Sequence, residues 1–192
     1  LIHPIGQWVI DSACKQLKIW ESNQRTRNLI LAINISPKQF GQADFVQHII
    51  KAIERFEVNP DRLKLEITES LLLEDRDGAI EKMRLLKEKG IRLSLDDFGT
   101  GYSSLSYLKH LPLHQLKIDQ SFVKKVDTDS ADKAIVRTIV ILGGTLGLNV
   151  IAEGVETSSQ RASLIECGCH HFQGYYFSKP LTIDDFQKLM VS

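Results

Sequence analysis

Apolar residues along the chain follow two patterns, one typical of strands and one typical of helices. Six short segments rich in Ile, Leu, Val and aromatic residues predict strands; they span residues 28–36, 62–69, 92–98, 115–119, 149–155 and 170–177. Between them, apolar residues recur at helical spacing over residues 44–56, 76–89, 129–146 and 157–166, and an earlier helix contains Trp8. Strands that alternate with helices predict an α/β fold with a mostly parallel sheet that is covered on both faces.

The ends of the predicted helices carry boundary signals. Gly90 follows the segment 76–89 at the position where a glycine ends many helices. Thr157 and Gln160 match a capping box, in which each side chain bonds the backbone N–H of the other residue. Residues 1–6 are predicted to form a connection that leads into the helix containing Trp8.

Each predicted strand brings a polar side chain toward its carboxyl end. The set is Asn34, Glu66 with Glu69, Asp96 with Asp97, Lys117 with Asp119, Glu153 with Glu156, and Gln173. In a parallel α/β barrel these strand ends converge on one face, where active sites lie. A single member could cap a helix or anchor a loop, and we keep that interpretation for Asp119 and Glu156. The whole set favours metal-assisted chemistry.

Asp96 and Asp97 are adjacent carboxylates at the end of an apolar strand. Two such groups repel each other and are costly to desolvate, and a divalent cation removes that cost. If one carboxylate bridges, a second metal can lie about 3.5–4 Å from the first, as in phosphodiester hydrolysis. The alternative is a capped loop start, in which Asp97 bonds the backbone N–H groups of the Gly99 turn.

Composition excludes several other classes of protein. With 192 residues, of which 43% are hydrophobic, the chain suits a single domain over residues 1–192. Lys plus Arg and Asp plus Glu each number 24, so no overall field favours DNA, RNA or an anionic membrane. No apolar run reaches the about 18 residues of a membrane helix. Cys14, Cys167 and Cys169 form no Cys-x-x-Cys pair, and we expect buried, reduced thiols in a cytoplasmic protein.

Six motifs, in a fixed order, carry a resemblance to a known family. They are Asn34-Ile35-Ser36, Glu66-Ile67-Thr68-Glu69, the run from Asp96-Asp97-Phe98-Gly99 to Leu105, Lys117-Ile118-Asp119, Glu153-Gly154-Val155-Glu156 and the run from Gln173-Gly174 to Pro180. From residue 34 to residue 180, the chain resembles the EAL domain, the family of cyclic di-GMP phosphodiesterases. The resemblance implies a modified TIM-type (β/α) barrel whose first strand is antiparallel. It also implies hydrolysis of cyclic di-GMP to linear pGpG by a water that two Mg²⁺ or Mn²⁺ ions activate.

The resemblance also implies a role for each matched residue. Asn34, Glu66 and Asp96 would bind the first metal, and Asp96 would bridge to the second, which Asp97 completes. Glu153 would lie beside the metals, either through a water or as a base.

Three further roles follow from the same resemblance. Lys117 would hold the attacking water and stabilise the charge that develops on the phosphorane, as expected for a cation beside a reacting phosphate. Gln173 would position a water or the ligand. Glu69 would anchor the loop that begins at Phe98.

One motif of the family is absent. No Glu-Ala-Leu tripeptide occurs in the sequence, although its glutamate is a metal ligand in the family. Six predicted strands are also two short of an eight-stranded barrel, so we expect the first two strands to be missing rather than mutated. Hydrolysis by this chain alone should then be impaired. The strand at 28–36 should be the more exposed edge.

Three functions therefore stay open. The first is an active phosphodiesterase domain, favoured because Asp96, Asp97 and Glu153 are all present. The second is a catalytically inactive, regulatory EAL domain that binds cyclic di-GMP, favoured by the missing glutamate. The third, an unrelated metal-dependent TIM-barrel lyase, would need a proton-abstracting residue that does not stand out.

The resemblance also favours a homodimer through residues 98–111, with an ordinary helix on its own barrel as the alternative. We expect a cytoplasmic domain, free or as part of a membrane-anchored sensor. Any membrane contact would come from other domains of the same protein.

Overall fold

The computed structural model of the protein describes residues 2–72, 75–99 and 108–190, in which helices and strands alternate. In chain order, the elements are α1 (Ile2–Glu21), β1 (Leu31–Ile35), α2 (Pro37–Phe40), α3 (Phe45–Phe56), β2 (Leu63–Thr68), α4 (Arg76–Glu88), β3 (Arg92–Phe98), β4 (Gln115–Ile118), α5 (Gln120–Val123), α6 (Ser130–Thr145), β5 (Asn149–Ala152), α7 (Ser158–Glu166), β6 (His171–Phe172) and α8 (Ile183–Leu189). Two 3₁₀ turns, Pro60–Arg62 and Glu69–Leu72, flank β2. The elements belong to two compact units, Leu1–His114 and Gln115–Ser192.

The first unit contains β1, β2 and β3, which pair in parallel in chain order. The register places Ile33 beside Leu65 and Leu65 beside Leu93, and all three side chains are buried. Helix α1 contacts β1 and α3, and α4 contacts β3. The apolar face of these strands is therefore covered by helices, as expected for an α/β fold.

The second unit repeats this arrangement with β4, β5 and β6, again parallel and in chain order. Helix α6 contacts both β4 and β5. A Cβ atom on Gly143 of α6 would clash with the side chain of Val150, so this glycine lets the helix approach the strand closely. Leu116, Ile118 and Ala152 are fully buried.

The structure confirms the predicted alternation. Each of the six predicted strands contains an observed one, and the parallel pairing within each unit confirms the α/β class. The capping box is also confirmed, because the Thr157 hydroxyl accepts the Gln160 N–H and the Gln160 amide oxygen accepts the Thr157 N–H. Within the described residues of the first unit, β1 pairs with β2 and stands first in the strand order, and Asn34 on it is exposed. The single domain over residues 1–192 stays a prediction.

Two boundaries were predicted wrongly, and three helices were not predicted. Residues 2–6 belong to α1 and are not a connection. In the segment 170–177, only His171 and Phe172 form a strand, because the chain turns at Gly174 and the Phe177 N–H bonds the Gly174 carbonyl. Helices α2, α5 and α8 were not predicted; α2 and α5 have four residues each, and none of the seven residues of α8 is buried.

The thiols and the membrane prediction can be compared directly with the structure. Cys14, Cys167 and Cys169 are buried and form no disulfide, as predicted. Burial, reinforced by Asp11, raises the pKa of Cys14 to about 11, so this thiol stays protonated and unreactive. Within the described ranges, no helix combines the length and the apolar character needed to cross a membrane.

Candidate active site

In the first unit, three of the predicted metal ligands lie on one face of the strands. Asn34 of β1 is the register partner of Glu66 on β2. Glu66 is in turn the partner of Ser94, and Asp96 lies two residues further along β3. Because side chains alternate between faces, Asn34, Glu66 and Asp96 share the face opposite the buried Leu65. The register thus places these three predicted oxygen donors on the same face of the first unit's strands.

The backbone changes direction at the Asp96–Asp97 pair. Asp97 adopts a left-handed conformation with φ of 55°, which few residues other than Gly, Asn and Asp tolerate. Its backbone N–H donates to the carboxylate of Asp96 over 2.9 Å, so the aspartate that orients this turn is Asp96. The carboxylate of Asp96 is therefore held in a defined orientation by the turn that follows it.

The donor set of the first unit fits a hard divalent cation. Asn34, Glu66, Asp96 and Asp97 offer amide and carboxylate oxygens, which Mg²⁺ and Mn²⁺ prefer over softer ligands. Within the residues that the structure describes, no three His, Cys, Asp or Glu side chains form a cluster able to hold a metal ion. Metal binding by these residues stays a prediction.

Glu69 is the first residue of the 3₁₀ turn that follows β2. It is only 6% exposed, and neither carboxylate oxygen has a hydrogen-bond partner among the described residues. A buried carboxylate without partners is costly, and N–H donors or a cation would offset that cost. This environment suits the predicted loop anchor, but residues 100–107, which hold most of that loop, lie outside the described residues.

In the second unit, Lys117 and Glu153 form a buried ion pair. Lys117 is the third residue of β4, and Glu153 directly follows β5. Lys117 Nζ lies 2.6 Å from a Glu153 carboxylate oxygen, and the two side chains are 4% and 19% exposed. Such a short, charge-assisted contact away from water is much stronger than a surface ion pair. The structure therefore joins the predicted rim lysine to the predicted acid.

Gln173 is fixed to the same region through its backbone. Its N–H donates to the Ala152 carbonyl over 2.8 Å, and its carbonyl accepts the Val155 N–H over 3.0 Å. The side chain is exposed, in keeping with a residue that contacts a water or a ligand. A Cβ atom at residue 174 would clash with the Val155 backbone, so Gly174 allows this close crossing.

The two residues kept as structural behave differently. Asp119 caps α5, because its carboxylate accepts the Ser121 N–H over 2.9 Å, and the capping interpretation is confirmed. The Glu156 side chain is exposed, while its backbone N–H donates to the amide oxygen of Gln160. Sequence reasoning treated Gln160 only as a helix cap and missed this contact with the loop that follows Glu153. The capping-box spacing was the one signal that pointed to it.

The predicted dimer segment 98–111 is described only at its ends. Residues 100–107 lie outside the described residues, so the predicted dimer helix is untested. Leu108 and Leu111 are 3% and 8% exposed, so these two side chains are covered by their own chain. The alternative of a helix that covers its own barrel accounts for Leu108 at least as well.

Comparisons with known proteins decide the family. A family model that describes the EAL domain matches residues 1–180. The chain belongs to the EAL domain family. It is 42% identical over 191 residues to the signaling protein YkoW of Bacillus subtilis, covering 100% of this chain and 24% of YkoW. It is 43% identical over 181 residues to the bifunctional diguanylate cyclase/cyclic di-GMP phosphodiesterase MucR of Pseudomonas aeruginosa, covering 94% of this chain and 26% of MucR. The chain thus spans about a quarter of the length of these relatives.

Solved structures agree with this assignment. A PaMucR phosphodiesterase in complex with c-di-GMP matches with a TM-score of 0.92 and 42% identity, over 96% of this chain and 74% of that chain. Klebsiella pneumoniae BlrP1, solved with manganese and cyclic di-GMP, matches with a TM-score of 0.77 and 30% identity, over 91% of this chain and 43% of that chain. EAL domains have a TIM-like barrel fold, and the predicted fold class is confirmed.

Proposed function

We propose that this EAL domain hydrolyses cyclic di-GMP to linear pGpG with a water activated by two divalent metal ions. The observation that carries the proposal is the buried ion pair between Lys117 and Glu153, 2.6 Å apart at the ends of β4 and β5. Lys117 is only 4% exposed, and a buried ionisable side chain with a charged partner is a candidate for a functional site. MucR, a cyclic di-GMP phosphodiesterase by name, supports the choice of substrate.

We assign the metal ions to the oxygen donors of the first unit. Asn34, Glu66 and Asp96 would bind one ion, and Asp96 with Asp97 would bind the other, with Glu153 beside them. When bound, the ions neutralise phosphate charge and lower the pKa of a bound water. We propose Mg²⁺ or Mn²⁺ because every donor is a hard oxygen, and the manganese bound to BlrP1 supports this choice.

Lys117 and Glu153 would act on the water and the reacting phosphate. The Lys117 ammonium, shielded from solvent, would orient the attacking water and stabilise the negative charge that develops as the phosphorane forms. Glu153 accepts a short hydrogen bond from this ammonium and would take the proton of the water, directly or through a second water. The pair is aligned before substrate binds, which lowers the cost of reaching the reactive geometry.

Gln173 would hold a water or the ligand, and Glu69 would position a loop. The exposed amide of Gln173 would hold a water or the ligand, while its backbone is fixed to β5 and the loop after it. Glu69 would receive N–H groups of the loop that begins at Phe98, which would satisfy its two buried oxygens. On this account Glu69 is a positioning residue and binds neither metal nor substrate.

The absence of a Glu-Ala-Leu tripeptide sets a limit on the activity. The metal site has one carboxylate fewer than the family pattern, which weakens metal affinity and positioning. We therefore propose that the 192-residue chain hydrolyses cyclic di-GMP slowly or not at all. A longer protein that joins this chain to a Glu-Ala-Leu strand should be active.

The second candidate is a regulatory EAL domain that binds cyclic di-GMP without cleaving it. The same missing glutamate favours this candidate. The presence of Asp96, Asp97, Lys117 and Glu153 favours the enzyme, because a domain that only binds has no need of a buried lysine paired with an acid.

We further propose a homodimer through residues 98–111. No long nucleic acid would be a partner, since the formal net charge is zero.

One experiment separates the two functions. Cyclic di-GMP is incubated with Mg²⁺ and the protein in two forms, the 192-residue chain and a longer protein with a Glu-Ala-Leu strand, and linear product is quantified. The enzyme predicts product from the longer form and little from the shorter one. Tight binding without product in both forms would establish the regulatory domain instead.

A further inference from the structure

The loop that carries Glu153 is held by a buried glutamine from the next helix. We infer that Gln160 is a positioning residue that keeps the Glu153 carboxylate beside Lys117, an inference that rests on the proposed hydrolysis. Residues 153–157 connect β5 to α7 and contain no regular secondary structure. A loop of this kind holds a side chain in one position only where further contacts fix it.

The loop is fastened at its beginning and its middle by main-chain contacts. The Glu153 N–H donates to the Ile118 carbonyl over 3.2 Å, at the end of the strand that carries Lys117. The Val155 N–H donates to the Gln173 carbonyl over 3.0 Å, and the Val155 carbonyl accepts the Tyr176 N–H over 2.9 Å. Two of the proposed active-site residues, Glu153 and Gln173, are thus tied to the same short loop.

At the far end of the loop, the Gln160 side chain adds to the cap bond in which the Thr157 hydroxyl accepts the Gln160 N–H. The Gln160 amide oxygen accepts the N–H groups of Glu156 and Thr157 over 2.8 and 3.1 Å. Its amide nitrogen donates to the Lys124 carbonyl over 3.2 Å, in the turn that follows α5. Gln160 is 6% exposed, so water replaces these bonds poorly if the side chain is changed. It therefore joins the segment after β4 to the segment after β5, the two strands that carry the ion pair.

Gly154 follows Glu153 in the loop whose far end the Gln160 side chain bonds. Its φ of 69° lies in the left-handed region, and a Cβ atom there would come 2.7 Å from the Cβ of Gln120. The glycine is thus pressed against α5 and next to Glu153 in the chain. Loss of the Gln160 bonds would leave this loop held by the main-chain bonds of Glu153 and Val155, so the Glu153 carboxylate would be held less firmly beside Lys117.

A helix cap alone would be the simpler role for Gln160. A cap supports the stability of α7 but has no influence on the reactivity of an acid five residues before the first residue of the helix. The two roles differ in their effect on kcat and on the Lys117–Glu153 contact, which can both be measured.

The test compares three variants in the longer protein that contains a Glu-Ala-Leu strand. Gln160→Met fills a similar volume and removes all three bonds. Gln160→Glu keeps an acceptor for the Glu156 and Thr157 N–H groups, loses the donor to the Lys124 carbonyl and adds a negative charge. Asp129→Ala is the matched control, because Asp129 caps α6 through the Ala131 N–H over 2.8 Å and contacts none of the proposed active-site residues.

We expect Gln160→Met to lower kcat about tenfold or more, with cyclic di-GMP affinity unchanged and a shifted pH profile of kcat, since small displacements of a reacting group are costly. Gln160→Glu should retain most of the wild-type kcat. Asp129→Ala should lower stability only. Equal kcat and an equal pH profile in Gln160→Met and Asp129→Ala would overturn the inference.

A second readout does not depend on turnover. The side-chain ammonium of Lys117 should give an NMR signal that exchanges slowly with water in the wild type, because Glu153 and burial protect it. Gln160→Met should broaden or remove this signal, and Asp129→Ala should not. An unchanged Lys117 signal in Gln160→Met overturns the inference even if the protein proves to be a binding domain, whereas absent product with a perturbed signal refutes only the proposed hydrolysis.

Discussion

His114 should make the first unit sensitive to acid. At the start of β3, the backbone N–H of Leu93 donates to the imidazole Nδ1 of His114 over 3.1 Å. The backbone N–H of His114 donates in return to the Leu93 carbonyl over 2.9 Å. The imidazole therefore acts as an acceptor at Nδ1, which requires the neutral ring with its proton on Nε2. Protonation would place two N–H donors against each other at a fully buried residue, Leu93.

The surroundings of the ring already oppose protonation. Burial lowers the pKa of His114 below its ordinary value of 6.5, and the positive charges of Lys87 and Arg92 lower it further, against a smaller opposite effect of Asp61. Because the folded pKa lies below the unfolded one, His114 contributes stability above the unfolded pKa. That contribution is lost as the pH falls through the folded pKa.

Two substitutions separate the hydrogen bond from the titration. In His114→Asn, the amide oxygen can take the place of Nδ1, so the bond survives and the titration disappears. In His114→Leu, the buried Leu93 N–H loses its acceptor, which costs about 1–3 kcal/mol. Urea unfolding of the chain, at about pH 7.5 and about pH 5.5, measures both effects as changes in the free energy of unfolding.

We expect the wild type to lose more stability on acidification than either variant. His114→Leu should be less stable than the wild type at the higher pH, and His114→Asn should be close to it. The other five histidines titrate in all three proteins, so the comparison between proteins isolates His114. If His114→Asn kept the full acid sensitivity of the wild type, the acceptor role of Nδ1 would be refuted.

Three further predictions concern the proposed active site, each in the longer protein with a Glu-Ala-Leu strand. Lys117→Ala should lower kcat far more than substrate affinity, because it removes an interaction made with transition-state charge; steady-state kinetics that show only a raised KM would make Lys117 a ground-state phosphate contact. Ca²⁺ should bind in place of Mg²⁺ without supporting turnover, because it forms longer bonds to more ligands; efficient hydrolysis in calcium after chelation of other metals would count against a strict two-metal geometry. Glu69→Ala should lower activity, Mg²⁺ affinity and dimerisation, because Glu69 would hold the loop that begins at Phe98. An unchanged Mg²⁺ affinity together with unchanged sedimentation would leave Glu69 a structural cap.

Much of the site could be predicted because parallel strands impose order on a sequence. Once β1, β2 and β3 were identified, the end of each strand was known to within a few residues, and Asn34, Glu66 and Asp96 had to approach one edge. The left-handed conformation of Asp97 could not be predicted, because it depends on how the chain leaves β3 rather than on the residue alone. The same holds for the hydrogen bond from Asp97 to Asp96.

Other features depended on contacts that a sequence does not record. The distance between Lys117 and Glu153 follows from the pairing of β4 with β5, not from spacing along the chain. The burial of Glu69 without a partner is set by packing around the turn after β2. The length of the last strand was misjudged because Tyr175, Tyr176 and Phe177 have high strand propensity, although tertiary contacts place them in a turn.

The most direct test of the proposed function follows the oxygen of the attacking water. The longer protein is incubated with Mg²⁺ and cyclic di-GMP in ¹⁸O-labelled water under single-turnover conditions, and the linear product is analysed by mass spectrometry. We predict that one ¹⁸O atom enters the terminal phosphate of pGpG, and that Glu153→Gln, which leaves the neighbouring strands intact, slows its appearance by about a hundredfold or more. Bound but uncleaved cyclic di-GMP in the wild type, or cleavage at an equal rate in Glu153→Gln, would contradict the account.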